Sequence, residues 1–176
     1  MKKYITLLMV ASVAALFVGC ATTPDWVQKG AGAFEKETGS PGKGRVFYAQ
    51  GMATGEIKDK ALRQEAADNR AKADLMRIFD TYTAYLMKDY AGTEGQLIER
   101  AVKTFSKGHI SGAQIIDRWI ERDGTIHSLI KFDLATFKEV MELSKELNES
   151  ARRYIQQKAD KIFDELQREE EKSGVK

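Results

Sequence analysis

Between Asp59 and Tyr90 the chain runs without a glycine or a proline, and its apolar residues keep a helical spacing. Leu62, Ala66, Asn69, Ala73, Met76, Phe79, Leu86 and Tyr90 recur three and four apart, or at multiples of that step, which aligns them along one stripe of a helix. Ala67, Ala71, Leu75, Ile78, Tyr82 and Tyr85 form a second apolar flank, so the helix is expected to pack on two sides. At about 1.5 Å per residue such a helix crosses a small domain from edge to edge, and the remaining elements must be arranged around it. Its alanines let a sheet or a partner helix come close to its backbone. The Met and aromatic residues in the stripe are read as core, not as a cofactor box.

The segments around it have strand and turn signals. Arg45 to Thr54 (RVFYAQGMAT) is rich in aromatic and β-branched residues and ends at Gly55, which predicts a strand. Gly92-Thr93-Glu94-Gly95 breaks the helical pattern, Gln96 to Phe105 resumes it as a short helix, and Ser106 to Gly112 reads as a loop. Ala113 to Arg122 and Thr125 to Leu134 flank Asp123-Gly124, the preferred pair for a two-residue type I′ hairpin turn. That turn would pair Ile115 with Phe132 and Trp119 with Ser128 on one face. Arg118 with Leu129 and Ile116 with Lys131 would occupy the other, and His127 would face Ile120. From Thr136 to about Lys172 there is again no Gly or Pro, and Phe137, Val140, Met141, Leu147, Ala151, Tyr154, Ile155, Ala159, Ile162, Phe163 and Leu166 make a stripe among charged residues. One helix of roughly 50 Å is expected there, either extending past its domain or packing against another copy of the chain, with Glu169-Glu170-Glu171 as a solvated end. The expected fold class is α+β: a small antiparallel sheet packed by a long alanine-rich helix, in β-α-α-β-β-α order, with a long charged C-terminal helix.

The start of the chain reads as an address. Met1-Lys2-Lys3 is basic, Tyr4 to Val18 is uncharged and Gly19-Cys20 follows, which is the pattern of an export signal. The apolar run is shorter than the ~20 residues of a membrane-spanning helix. Phe17-Val18-Gly19-Cys20 resembles the lipobox of bacterial lipoproteins, with Phe17 where leucine is usual. The resemblance implies that Cys20 is diacylated on sulfur and becomes the new N-terminus. An Asp after that cysteine tends to hold Gram-negative lipoproteins at the inner membrane, so Ala21 implies passage to the outer membrane. Cys20 is the sole cysteine, which leaves no disulfide and no cysteine metal site, and stability must come from packing. Lys+Arg number 28 against 26 Asp+Glu, and Lys2 and Lys3 account for the surplus. The balanced remainder argues against a dedicated nucleic-acid binder.

Lys29 to Gly44 (KGAGAFEKETGSPGKG) has the composition of a flexible spacer. Trp26 ahead of it is expected to cap the domain's core, with the lipid interface as its alternative place. The predicted organisation is a leader over 1–19 that is removed, a lipidated tether over 20–44, an α+β domain over 45–140 and a helical extension over 141–176. No HExxH, CxxC, GxSxG or P-loop pattern occurs. His109 and His127 read as structural or exposed, and the acids lie at salt-bridge spacing along helices. No catalytic residue, cofactor or metal ligand is expected.

Pro24-Asp25-Trp26, Tyr48-Ala49-Gln50-Gly51, the helix segment from Ala66 to Leu75, and the hairpin segments Ile115 to Trp119 and Gly124 to Asp133 occur in a characteristic order. In combination they resemble the bacterial Lpp-twenty-type lipoprotein family, typified by the 20-kilodalton surface lipoprotein antigen and related to the N-terminal domain of flagellar assembly protein T. The likeness covers roughly Pro24 to Val140. It implies a compact α+β domain in an envelope protein without an active site. Two features depart from it: His127 stands where an aromatic residue is common, and the helix after Phe137 is longer than the domain needs. The expected function is that of a non-enzymatic outer-membrane lipoprotein, facing the periplasm or the surface. It would act as an envelope scaffold or assembly factor, the flagellar basal body included, with another envelope protein or a second copy as partner. The alternatives are a periplasmic lipid or small-ligand carrier and an envelope enzyme acting on peptidoglycan.

Overall fold

The computed structural model describes residues 22–37, 44–88, 90, 93–107 and 112–174. Its elements are α1 (Asp25–Lys29), β1 (Phe34–Lys36), β2 (Arg45–Ala53), α2 (Lys60–Met87), α3 (Thr93–Lys107), β3 (Gln114–Ile120), β4 (Ile126–Asp133), α4 (Leu134–Leu143) and α5 (Glu149–Ser173). The strands form one antiparallel sheet in the order β1-β2-β4-β3. This is the expected α+β class.

Asp59 starts α2 by accepting hydrogen bonds from the backbone N–H groups of Ala61 and Leu62, at 2.7 and 3.0 Å. The buried stripe of α2 is Ala67, Ala71, Leu75, Phe79, Tyr82 and Leu86, with Thr83 beside it. Of the principal stripe read from the sequence, Phe79 and Leu86 are buried, while Leu62 is 59% exposed. The reason lies in the alanines. Ala67 and Ala71 let β2 approach at Gly51, where an added Cβ would come within 2.2 Å of the Ala67 carbonyl oxygen and the Ala71 nitrogen. The sheet therefore settles on the smaller flank. Gly51→Ala is expected to push α2 off the sheet and cost about 3 kcal/mol in urea unfolding, an overpacking penalty with no flexible neighbour to absorb it. A loss below about 1 kcal/mol would mean that helix and sheet separate more easily than their contact suggests.

The hairpin lies where expected, with a different turn and register. Glu121 and Thr125 close the loop, Glu121 N–H donating to Thr125 O at 2.8 Å and Gly124 N–H to Glu121 O at 3.0 Å. Three residues, Arg122-Asp123-Gly124, therefore make the connection, with Gly124 at φ +87. This suits a turn that ends on a left-handed residue, and the Asp123 carboxylate secures it by accepting from Thr125 N at 2.8 Å. The extra loop residue moves Trp119 opposite His127, and a bulge between Ile115 and Asp117 shifts the remainder, so that Ile115 faces Ile130.

The C-terminal segment is two helices, not one. α4 ends at Ser144, and Asn148 starts α5 by accepting from Ala151 N at 2.8 Å. Leu147 is buried at the corner, and Arg152 closes it by donating to the Ser144 carbonyl at 2.8 Å. α5 turns back along the domain, and its Ala151, Ile155, Ala159, Ile162, Phe163 and Leu166 join the same core as α2 and the sheet. Tyr82 Oη donates to Ala159 O at 3.1 Å across that contact. Glu170, expected in solvent, accepts from the Ala33 and Phe34 N–H groups at 2.7 and 3.0 Å. Its partner, β1, lies inside the stretch read as a free spacer. Phe34 is buried in the core, and β1 is hydrogen-bonded to β2, so the run from residue 33 to 37 is part of the domain.

Two carboxylates join layers through ion pairs. Asp164 of α5 accepts from Arg45 Nε and Nη2 at 2.8 and 2.9 Å, and Lys36 lies 3.1 Å away. Asp68 of α2 accepts from Arg118 at 3.0 and 2.8 Å and from Ser128 Oγ at 2.6 Å. The Arg45 hydrogen bond holds the Asp164 carboxyl below its ordinary value. At Asp68 burial works the other way, and the bonds from Arg118 and Ser128 outweigh it. A carboxylate depressed in the fold stabilises it above the ordinary carboxylate pKa, and that contribution is lost as pH falls through the depressed value. Thermal stability is therefore expected to hold from neutrality to about pH 5 and to fall below about pH 4. Asp164→Asn, which costs about 1 kcal/mol after allowing for solvent screening, should flatten the fall. An unchanged acid slope in that variant would remove Asp164 from the account.

Candidate functional site

The sheet buries one face under α2 and turns the other outward. Strand alternation sends Tyr48, Gln50 and Met52 of β2 to the outer face, together with His127, Leu129 and Lys131 of β4. On β3, Asp117 and Trp119 stand opposite Leu129 and His127 and join that face. Arg118 between them reaches the other way, to Asp68.

The segment before β1 roofs part of this surface. Pro24 precedes a short helix with Asp25 in its first turn and Lys29 in its last, the order that suits the helix dipole, and the two side chains pair at 3.0 Å. Trp26 Nε1 donates to Asp117 Oδ2 at 3.0 Å, fastening α1 to β3. Gln28 Nε2 donates to the Thr23 carbonyl at 2.8 Å, which ties the chain down as far back as Thr23. Gly30, at φ +87, then turns the backbone toward β1, a conformation glycine adopts without strain. Beneath this roof lies a cleft of about 450 Å³ bordered by Trp26, Ala31, Tyr48, Ile116 and Leu129. The buried Gln50 Oε1 makes no hydrogen bond.

Charges on this face are arranged in pairs. The Tyr48 hydroxyl donates to Glu37, whose two carboxylate oxygens also accept from Lys131 Nζ at 2.8 and 2.7 Å. Lys131 first, and Tyr48 second, hold the Glu37 carboxyl below its ordinary value. Burial, then the bond to Glu37, raises the Tyr48 hydroxyl well above its own. Near the turn, His127 Nε2 lies 2.7 Å from Glu121 Oε1. Between the pairs, Met52 and Ile116 remain 48% and 45% exposed.

Two further grooves lie on the helical side. One, of about 730 Å³, runs between the start of β2, α4 and α5, where Arg45 and Lys138 face Asp160 and Glu142. These cations are already engaged, Arg45 by Asp164 and Lys138 by Asp160 at 3.1 Å, and they hold elements together. The other, of about 480 Å³, separates α2 from α3 and is lined by Met76, Met87, Val102 and Ser106. The helix–sheet interface itself is filled by Phe47, Phe79, Tyr82, Phe132, Phe137 and Phe163, each fully buried.

Cys20, the predicted lipidation site, and His109 lie outside the described residues. His127 is paired with Glu121 and lines none of the three cavities. Among the described residues no group of three or more His, Cys, Asp or Glu side chains is placed to hold a metal ion. Nor is any helix among them long and apolar enough to cross a membrane. The sequence reading missed the roof and its fastening to Asp117, although Pro24-Asp25 is a legible helix start. Compared with profiles of known protein families and with curated proteins, the chain matches none.

Proposed function

We propose that this protein is a non-enzymatic outer-membrane lipoprotein, anchored by acyl chains on Cys20, that serves as an envelope scaffold or assembly factor. The observation that carries the reading is the leader: a basic start, an uncharged run and Phe17-Val18-Gly19-Cys20, with the sole cysteine at the end. The resemblance to the Lpp-twenty-type lipoproteins points to the same class, and makes a flagellum-associated role part of the proposal. In the groove beside α4 and α5 the cations Arg45 and Lys138 are committed to Asp164 and Asp160 and hold elements together, which supports a structural role for them over a catalytic one. Anchoring contributes by confinement: a protein held in two dimensions meets its envelope partners at raised effective concentration, so modest contacts suffice.

The partner test is photocrosslinking in intact cells from single sites on the helical side. Ala84, in the groove between α2 and α3, and Leu143, 75% exposed on α4, are suitable. The expected result is a discrete adduct with another envelope protein, or a dimer. Absence of an adduct from both sites would overturn the scaffold reading.

A further inference from the structure

The protein has two tryptophans, and both stand on the outer sheet face. Trp26 sits on the α1 roof and is bonded to Asp117, while Trp119 stands on β3 opposite His127. Met52, which also pairs with His127, and Ile116, beside Asp117, extend the apolar surface between them. We propose that this face lies against the lipid surface, with Trp26 and Trp119 in its interfacial layer. The proposal rests on the lipoprotein reading and adds an orientation to it.

The length of chain between the anchor and the fold carries the inference. Thr23 is tied to α1 through Gln28, and Cys20 is three residues upstream. Three extended residues reach about 10 Å, so acyl chains on Cys20 bring α1 and its neighbours to the headgroups. The glycine-rich run after Lys29 provides no slack between anchor and domain. It follows α1 in the chain, and β1 within it is pinned by β2, by Glu170 and by the buried Phe34. The roofed face is thus the one nearest the anchor. Tryptophan, with an apolar body and one N–H, is the residue enriched at that depth.

Charge decides the kind of contact. The face carries the acids Asp25, Glu35, Glu37, Asp117, Glu121 and Asp133 against the cations Lys29 and Lys131, with His127 hydrogen-bonded to Glu121. Asp25 is paired with Lys29, Glu37 with Lys131 and Glu121 with His127, and Asp117 accepts from Trp26. Such a surface, with acids in excess, is not drawn to anionic lipid, so contact should be interfacial and no stronger on anionic than on zwitterionic bilayers.

The test uses the full-length lipidated protein, reconstituted into phosphatidylcholine vesicles brominated at shallow acyl positions. Flotation reads the anchor, and tryptophan emission reads the face. Trp26→Phe and Trp119→Phe each leave one reporter. Expected is co-flotation, with emission in each variant lowered by roughly half relative to unbrominated vesicles, and lowered no further when phosphatidylglycerol is added. Flotation without quenching of either reporter would overturn the orientation and leave the anchor standing. Quenching confined to Trp26 would show that α1 alone meets the lipid and would overturn the claim for the sheet face. Failure to float would remove the lipoprotein reading, and the orientation with it.

Discussion

Phe47→Ala is expected to lower the unfolding free energy by about 4 kcal/mol, which is a large share of what a domain of this size has. Phe47 is fully buried at the centre of the sheet's inner face and meets five rings: Phe34 at 5.6 Å, Phe79 at 5.8 Å, Tyr82 at 5.1 Å, Phe132 at 6.0 Å and Phe163 at 5.1 Å. These belong to β1, α2, β4 and α5, so one side chain touches four other elements. Its removal forfeits the buried area and leaves a cavity that rings held in edge-to-face contact cannot collapse to fill. In urea unfolding the midpoint should fall with little change in slope, and the melting temperature should drop by roughly 10 to 15 °C. Phe47→Leu should lose less, since it keeps most of the volume. A loss near 1 kcal/mol for the alanine variant would show that the aromatic cluster repacks and that the elements are held chiefly elsewhere.

The second large effect concerns location. Cys20→Ala is expected to move the protein from the membrane fraction to the soluble fraction. At roughly 0.8 kcal/mol per buried methylene, one acyl chain gives marginal binding and two give stable attachment, so losing the thiol that carries them is close to all-or-none. The described part of the chain has no membrane-spanning helix to substitute. If the outer sheet face adds interfacial contact, it does so only once the anchor has brought it there, and it should not hold the variant alone. Continued sedimentation of Cys20→Ala with membranes, with folding confirmed by its unfolding midpoint, would defeat the anchoring proposal.

The parts of the fold that could be read in the sequence are those whose signals are periodic and long. α2 shows itself through its spacing, and β2 and the hairpin through β-branched and aromatic runs broken by glycine. The errors have local causes. Asp123-Gly124 suggests a two-residue turn, but Arg122 is drawn into the loop and the register slips with it. The break between α4 and α5 contains neither glycine nor proline. Ser144 and Asn148 make it by ending and starting helices, and a search for breakers passes over both. β1 is only three residues long, so its identity comes from the partner it finds on β2 and from Phe34 reaching the core. The outer face was hardest to foresee. Trp26 and Asp117 are 91 positions apart in the chain, and their meeting depends on the three-residue turn, whose register places Asp117 opposite Leu129 on the outer face.

The clasp between Glu170 and the N–H groups of Ala33 and Phe34 has a consequence for the order of events in the cell. The first strand is secured by the last helix, and Phe34 packs against Phe163 at 5.4 Å. A chain emerging from a translocation channel N-terminus first would therefore expose Phe34 and its unpaired strand until α5 followed. Closure over such a span is slow compared with local helix formation. Acylation at Cys20 would then act on a still-extended substrate, with the thiol reachable before the roof and the first strand have docked. Shortening α5 from its far end would prolong that open interval, and should show as proteolysis near residue 33 well before any change in the hairpin.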